Sequence, residues 1–122
     1  MKDYIQNAVR TESGGCDIEG KERLLHAGIG LATETGEFLD AIKKSVFYGK
    51  ELDRVNLKEE LGDILWYLAI AMDALDTDFD TEMERNIAKL KARYGEKFTT
   101  EAAEKRDLDI ERGILEEEKI NY

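Results

Sequence analysis

Four carboxylates occur as two closely spaced pairs in the middle of the chain. The pairs are Glu34 with Glu37 and Glu60 with Asp63, each at i, i+3 spacing, which puts both side chains on one face of a helix. Because clustered carboxylates repel unless they are solvated, protonated or bridged by cations, the pattern predicts a site for a hard ion, Mg²⁺ or alternatively Mn²⁺. The competing interpretation is a solvated helix face, which is common in a chain with 28 acidic residues.

The two acidic pairs are placed symmetrically about a sequence that favours a turn. Glu34 and Asp63 lie equally far from a point just before Gly49, and so do the two inner acids. Two helices that fold back on one another at this glycine would bring the pairs opposite each other. Both pairs are set among apolar residues and contain a glycine, so their face cannot be wholly solvated and can be closely approached. These features favour the metal site.

Apolar residues recur at helical spacing along most of the chain, and no proline interrupts the pattern. We expect an all-α protein, a four- to five-helix bundle built on an antiparallel hairpin of two long helices. Asp53 or Asn56 is the expected cap of the second long helix. The predicted helices cover, approximately, residues 1–11, 19–47, 53–75, 81–94 and 99–106.

No repeat or linker divides the sequence, so we expect a single domain over residues 1–122. Its core is predicted to cover about 20–98, and the acidic C-terminal extension, 99–122, is expected to be least ordered beyond the last helix.

Composition and charge limit the classes of function. A formal net charge of −10 disfavours binding to nucleic acid or to an anionic membrane. No apolar run approaches the roughly 20 residues of a membrane span, and the chain opens without a secretory signal. The single cysteine, Cys16, excludes an internal disulfide framework. We therefore expect a cytoplasmic protein.

One stretch of the chain reverses the sign of the charge. From Arg85 to Lys97, five basic residues stand against one acid. Asn86, Lys89 and Arg93 fall on one helix face, from which they could meet phosphate oxygens. The alternative is a solvated helix whose C-terminal cations favour its dipole. Lys44, on the same stripe as the first acidic pair, is a further candidate for phosphate binding.

Three sequence blocks occur in order around these residues: LATETGEFLDAIKK, LKEELGDILWYLA and NIAKLKARYGEKF. Over about 24–98 they resemble the MazG-like family of all-α nucleoside triphosphate pyrophosphohydrolases, whose hallmark is E-x-x-E followed by E-x-x-D. The resemblance implies that the four carboxylates hold Mg²⁺ and that an NTP or dNTP is hydrolysed to its monophosphate and pyrophosphate. It also favours phosphate binding by the third block. Gly95 stands where the family usually has proline.

Aromatic residues near the acids could contact a nucleotide. Trp66 and Tyr67 follow Asp63 by about one helical turn, so either could stack on a base or sugar. The resemblance favours Tyr67, whereas Trp66 has a core or interface role as its alternative. His26, the single histidine, lies about two turns before Glu34 and is expected either to contact nucleotide or to have a buried or capping role.

The chemistry expected at such a site follows from the charge of the substrate. A triphosphate is strongly anionic, so divalent cations must bridge it to the carboxylates and can activate the attacking water. Glu34 or Glu37 is the expected acceptor of the water's proton, and the sequence does not decide between them.

A homodimer or homotetramer is expected, because a small bundle has little mass to close an open cleft and because the resemblance implies assembly.

Three other functions are compatible with helical carboxylates to different degrees. A di-iron four-helix protein needs Glu-x-x-His pairs, which His26 cannot supply because Arg23 occupies the required acidic position. A phosphoribosyl-ATP pyrophosphohydrolase shares the acidic motif and would differ in substrate. A non-catalytic helical interaction module is the rival from another class, and failure to bind millimolar Mg²⁺ would favour it.

Overall fold

A computed structural model describes residues 2–14, 20–95 and 99–117 of the chain. These residues form helices and connecting loops without a β-strand, which confirms the all-α class. They contain six helices, more than the four or five predicted: α1 (Lys2–Val9), α2 (Lys21–Tyr48), α3 (Arg54–Ala74), α4 (Phe79–Tyr94), α5 (Thr100–Glu104) and α6 (Leu108–Glu116). Within the described ranges, no helix is both long and apolar enough to cross a bilayer.

The chain divides into two compact units. The first, Met1–Asp78, contains α1 to α3, and the second, Phe79–Tyr122, contains α4 to α6. In the first unit, α2 and α3 make the most extensive helix contact, and α1 packs on α3. Among the residues described in this unit, the buried apolar ones are Ile5, Ala8, Ala27, Ala69 and Ile70.

Local residues determine where the two long helices end and begin. Gly49 terminates α2 with a φ of 65°, a left-handed conformation that glycine adopts without steric cost, and its N–H donates to the Lys44 carbonyl. At the start of α3, the Asp53 carboxylate accepts a hydrogen bond of 3.0 Å from the Asn56 N–H. The turn at Gly49 and the cap at Asp53 are both as predicted.

Contacts between α2 and α3 pair residues in reverse order along the two helices. Arg23, near the start of α2, lies 2.7 Å from the carboxylate of Asp73, near the end of α3. Further along α2, Gly30 lies against the ring of Tyr67, which comes earlier in α3. Residues of α2 that are closer to the connecting loop therefore contact residues of α3 that are also closer to that loop. The acidic pairs lie on the loop side of the contact between Gly30 and Tyr67.

The second unit contains a helix that the sequence did not predict. Asp107 caps α6, and Glu111 on that helix is only 4% exposed. Its carboxylate accepts hydrogen bonds of 2.7 Å from Arg93 of α4 and from Arg106. Because a buried carboxylate is tolerated when it is paired and hydrogen-bonded, these bonds hold α6 to α4. The expectation of little order in the extension therefore does not hold for α6.

Candidate functional site

Three of the four predicted carboxylates come together where α2 packs on α3. Glu34, Glu37 and Glu60 each offer one carboxylate oxygen, and these oxygens all lie within 4.8 Å of one another. Ligand oxygens on opposite sides of a bound divalent cation are about 4–5 Å apart. The three side chains are therefore spaced as ligands of a shared cation would be, and we call them the acidic cluster.

The acidic cluster is partly buried, and within the described residues its hydrogen-bonding capacity is not fully used. Glu60 is 7% exposed, Glu34 is half-buried and Glu37 is exposed. Oε2 of Glu34 and Oε2 of Glu60 are buried without a hydrogen-bond partner among the described residues. The adjacent Glu34 carboxyl raises the pKa of Glu60 to about 7, with burial and the Glu37 carboxylate acting in the same direction. A divalent cation would satisfy both orphaned oxygens, so the donor set fits a metal.

Asp63, the fourth predicted ligand, is not a member of the acidic cluster. Its side chain is exposed, and it lines a cavity of about 410 Å³ together with Thr11, Glu34, Trp66 and Tyr67. Glu34 thus belongs both to the cluster and to this cavity. We call this cavity the aromatic cavity. Asp63 therefore lies beside the acidic cluster, in the lining of the aromatic cavity.

The three predicted aromatic candidates form one group. The rings of Trp66 and Tyr67 meet edge to face with centroids 5.0 Å apart, and His26 lies 5.6 Å from Tyr67 and 6.4 Å from Trp66. The Trp66 indole N–H donates a hydrogen bond of 2.8 Å to the Thr11 hydroxyl. A Cβ at Gly30 would overlap the Tyr67 ring, so the absence of a side chain there permits the arrangement.

A second cavity, of about 320 Å³, lies at the other end of the acidic cluster, next to the loop after Gly49. Glu37 and Glu60 contribute to its lining, as do Lys44 and Lys50, and we call it the lysine cavity. Lys44 is 2.7 Å from Asp40, and this pair lowers the pKa of Asp40 and raises the pKa of Lys44. Lys50 was not predicted from the sequence as a site residue, although its position between the acidic pairs could have suggested it.

The predicted phosphate-binding residues of the third block lie on α4, in the second unit. Asn86 is exposed and Lys89 is half-buried. Arg93 donates two hydrogen bonds to Glu111, at 2.7 and 3.2 Å, and its guanidinium lies 5.4 Å from the centre of the Tyr94 ring. The bonds to Glu111 raise the pKa of Arg93, and those from Arg93 and Arg106 lower the pKa of Glu111 to about 2. The Arg93 side chain is therefore engaged within its own unit.

Comparison with known proteins agrees with the site. A family model described as the MazG nucleotide pyrophosphohydrolase domain matches residues 24–98, and the chain belongs to this family. Membership implies a hydrolase of the pyrophosphohydrolase type that acts on a nucleotide. The chain is also 36% identical over 92 residues to the gene 37 protein of Mycobacterium phage L5, a match that covers 70% of this chain and 77% of that protein. No solved structure matches the chain.

Proposed function

We propose that the protein is a Mg²⁺-dependent pyrophosphohydrolase that cleaves an NTP or dNTP between the α and β phosphates, giving the monophosphate and pyrophosphate. The observation that carries this proposal is the acidic cluster itself, in which Glu34 and Glu60 each have a buried oxygen with no hydrogen-bond partner in the part of the chain that the structure describes. MazG enzymes generally depend on a divalent metal, which supports the same conclusion. Oxygen-only ligands suit Mg²⁺ in particular.

Glu34, Glu37 and Glu60 would hold the cation, and Asp63 would contribute from the edge of the aromatic cavity. When bound, the cation supplies Lewis-acid polarisation of the phosphate and offsets the charge of the triphosphate. Glu34 and Glu37 are the proposed acceptors of the proton from the attacking water. We favour Glu37, because its exposed carboxylate is open to solvent water while Glu34 directs a buried oxygen into the cluster.

The two cavities suggest how the substrate lies across the acidic cluster. In the aromatic cavity, Tyr67 and Trp66 offer faces on which a base or sugar can stack, and His26 extends the same aromatic group. In the lysine cavity, Lys44 and Lys50 can receive the β and γ phosphates as ammonium donors. The α phosphate would then lie over the cluster between them.

Residues of α4 remain part of the proposal. Asn86 and Lys89 stay proposed phosphate-binding residues of the second unit, and Arg93 could bind phosphate only by releasing Glu111, because these two side chains are hydrogen-bonded to one another. The family match extends from the first unit through α4 to residue 98, which supports a single MazG-like domain built on the α2–α3 hairpin. We also propose that the protein is a homodimer or a homotetramer.

The experiment is a substrate panel with the purified protein. Each common NTP and dNTP, and phosphoribosyl-ATP, is incubated with Mg²⁺, and pyrophosphate release is measured with and without a chelator. We expect metal-dependent release that Glu60→Gln abolishes and that Glu59→Gln, an exposed neighbour on α3, leaves intact. Turnover of phosphoribosyl-ATP alone would assign the related enzyme instead. The absence of both turnover and Mg²⁺ binding would support the non-catalytic interaction module.

A further inference from the structure

The hydroxyl of Thr11, which lines the aromatic cavity, takes part in two hydrogen bonds. It donates its proton to the Ala8 carbonyl at 2.7 Å and accepts the Trp66 indole N–H at 2.8 Å. A hydroxyl has one proton to donate and two lone pairs that accept. Because the proton and one lone pair are in use, the Thr11 oxygen has one lone pair left for a ligand. Thr11 is exposed, so a ligand in the cavity can reach this oxygen, and the oxygen would act towards it as an acceptor.

The segment that carries Thr11 is fixed by an ion pair at the next residue. The Glu12 carboxylate, whose side chain is 12% exposed, accepts two hydrogen bonds from Nε of Arg23, at 3.0 and 3.1 Å. The same guanidinium donates to Asp73 at 2.7 Å, so the segment after α1 is tied to both α2 and α3. Thr11 is therefore held in place by its own bonds and by those of its neighbour, which a residue needs if it is to discriminate between ligands.

The other polar side chains in the lining of the aromatic cavity are mostly acceptors as well. Glu34 and Asp63 present carboxylates, which accept hydrogen bonds and donate none. The Trp66 N–H is already donated to Thr11, so among the described side chains of the lining only the Tyr67 hydroxyl has a proton to offer a ligand. A base edge that presents donors therefore fits this cavity better than an edge that presents a carbonyl.

We propose that Thr11 is a specificity-determining residue of the aromatic cavity, which selects nucleobases with an exocyclic amino group, cytosine and adenine, over their oxo counterparts, uracil and hypoxanthine. The amino group would donate a hydrogen bond to the remaining lone pair of the Thr11 oxygen. The inference rests on the proposed function, which places the base in this cavity.

Discrimination between bases needs a contact with the base edge. Stacking on Trp66 and Tyr67 is tolerant, because every base has an aromatic face. A site that accepts a hydrogen bond from its ligand disfavours the analogue that lacks the donor, since the acceptor then faces another acceptor. Thr11 lies before residues 24–98, which match the family model, so this determinant is separate from the acidic motif.

The first test is a comparison of binding. Trp66 is the only tryptophan of the chain, so its fluorescence reports on the aromatic cavity directly. Non-hydrolysable α,β-methylene analogues of dCTP, dUTP, dATP and dITP are titrated in the presence of Mg²⁺. The amino member of each pair is expected to bind about tenfold more tightly than the oxo member. Equal or tighter binding of the oxo member in either pair, or no binding of any of these analogues, would overturn the proposal.

The second test assigns the selection to the Thr11 hydroxyl. Thr11→Val should bind the amino and oxo analogues with similar affinities, whereas Thr11→Ser, which keeps a hydroxyl, should retain the wild-type ratio. A shift of the Trp66 ring in Thr11→Val would affect both analogues alike, so the ratio isolates the contact with the base edge. Thr33→Val is the matched control, because Thr33 is an exposed threonine whose hydroxyl likewise donates to the carbonyl three residues earlier, at 3.1 Å. A wild-type ratio in Thr11→Val would overturn the proposal.

The binding measurement separates this inference from the proposed function. Selective binding of the amino analogues without pyrophosphate release from dCTP or dATP would support the selection and contradict the hydrolysis. Pyrophosphate release with the same kcat/KM from dCTP and dUTP would support the hydrolysis and contradict the selection.

Discussion

The ring of Tyr67 occupies the space that a side chain at Gly30 would need. This contact joins the backbone of α2 directly to an aromatic residue of α3. Gly30 precedes Glu34 by four residues, so both lie on the same face of α2. The packing that seats the ring therefore also positions a carboxylate of the acidic cluster, and Tyr67 and Glu34 line the same cavity.

Adding a methyl group at Gly30 should destabilise the protein. Alanine is a better helix former than glycine by about 1 kcal/mol, but the Gly30→Ala methyl would displace the Tyr67 ring, and overpacking costs about 1–3 kcal/mol. We therefore expect a net loss in the free energy of unfolding measured with urea. Gly62→Ala, in α3 with open space around its Cβ, is the control and should be neutral or stabilising. A Gly30→Ala protein as stable as this control would contradict the close packing.

Removing a charge from the acidic cluster should affect the metal-free and metal-bound proteins in opposite ways. Without metal, Glu60→Gln should be at least as stable as the wild type, because the buried Glu60 carboxylate adjoins two other acids. With millimolar Mg²⁺, the wild type should gain thermal stability by ligand linkage and Glu60→Gln should not. Differential scanning fluorimetry with Glu59→Gln as control measures both effects. If Mg²⁺ raised the melting temperature of Glu60→Gln as much as that of Glu59→Gln, Glu60 would not be a ligand of the metal.

The lysine cavity makes a prediction about substrate affinity. Lys50→Ala should raise KM about tenfold with little change in kcat, if the ammonium group holds the phosphates equally in the ground and transition states. Lys89→Ala on α4 is expected to act in the same direction. Lys58→Ala, an exposed lysine on α3 outside both cavities, is the control. An unchanged KM for Lys50→Ala would place the β and γ phosphates elsewhere.

The second unit should lose stability in acid through Glu111. Its folded-state pKa of about 2 lies below the usual 4.5, so its ion pairs with Arg93 and Arg106 stabilise the folded unit above pH 4.5. That contribution should disappear as the pH falls from 4.5 towards 2. Thermal melts of the wild type and Glu111→Gln, followed by helical circular dichroism, should converge across this window. Glu104→Gln, an exposed acid on α5, is the control and should keep the wild-type profile.

Several features of the fold could be predicted from short stretches of the sequence. Gly49 and Asp53 give local signals for the end of one helix and the start of the next, and both act at the predicted places. The acidic cluster was foreseeable because three of its properties are also local: the i, i+3 spacing, the apolar surroundings and the shared distance from the turn. Distance from a turn determines pairing only to within about one helical turn. This is why Glu34 meets Glu60 while Asp63 lies beside the cluster.

Other features depend on partners distant in the chain. In the sequence, Glu111 does not differ from the other acidic residues of the tail, because its partners Arg93 and Arg106 are identified only in the folded structure. Neither α6 nor its buried carboxylate was therefore predicted. Gly30 could be recognised as unusual within a helix, but the sequence could not distinguish a break from a close contact. The choice of Tyr67 as the neighbour depends on how α2 and α3 pack, which no local pattern specifies.

The most direct test of the proposed cleavage between the α and β phosphates is to follow the reaction by phosphorus NMR in water enriched in oxygen-18. The wild-type protein, Mg²⁺ and an accepted nucleoside triphosphate are mixed, and both the first products and the position of the label are recorded. Attack of water at the α phosphorus predicts pyrophosphate without label and a nucleoside monophosphate that carries the label. Orthophosphate as the first product, or label in the pyrophosphate, would contradict the assignment of this reaction to the acidic cluster.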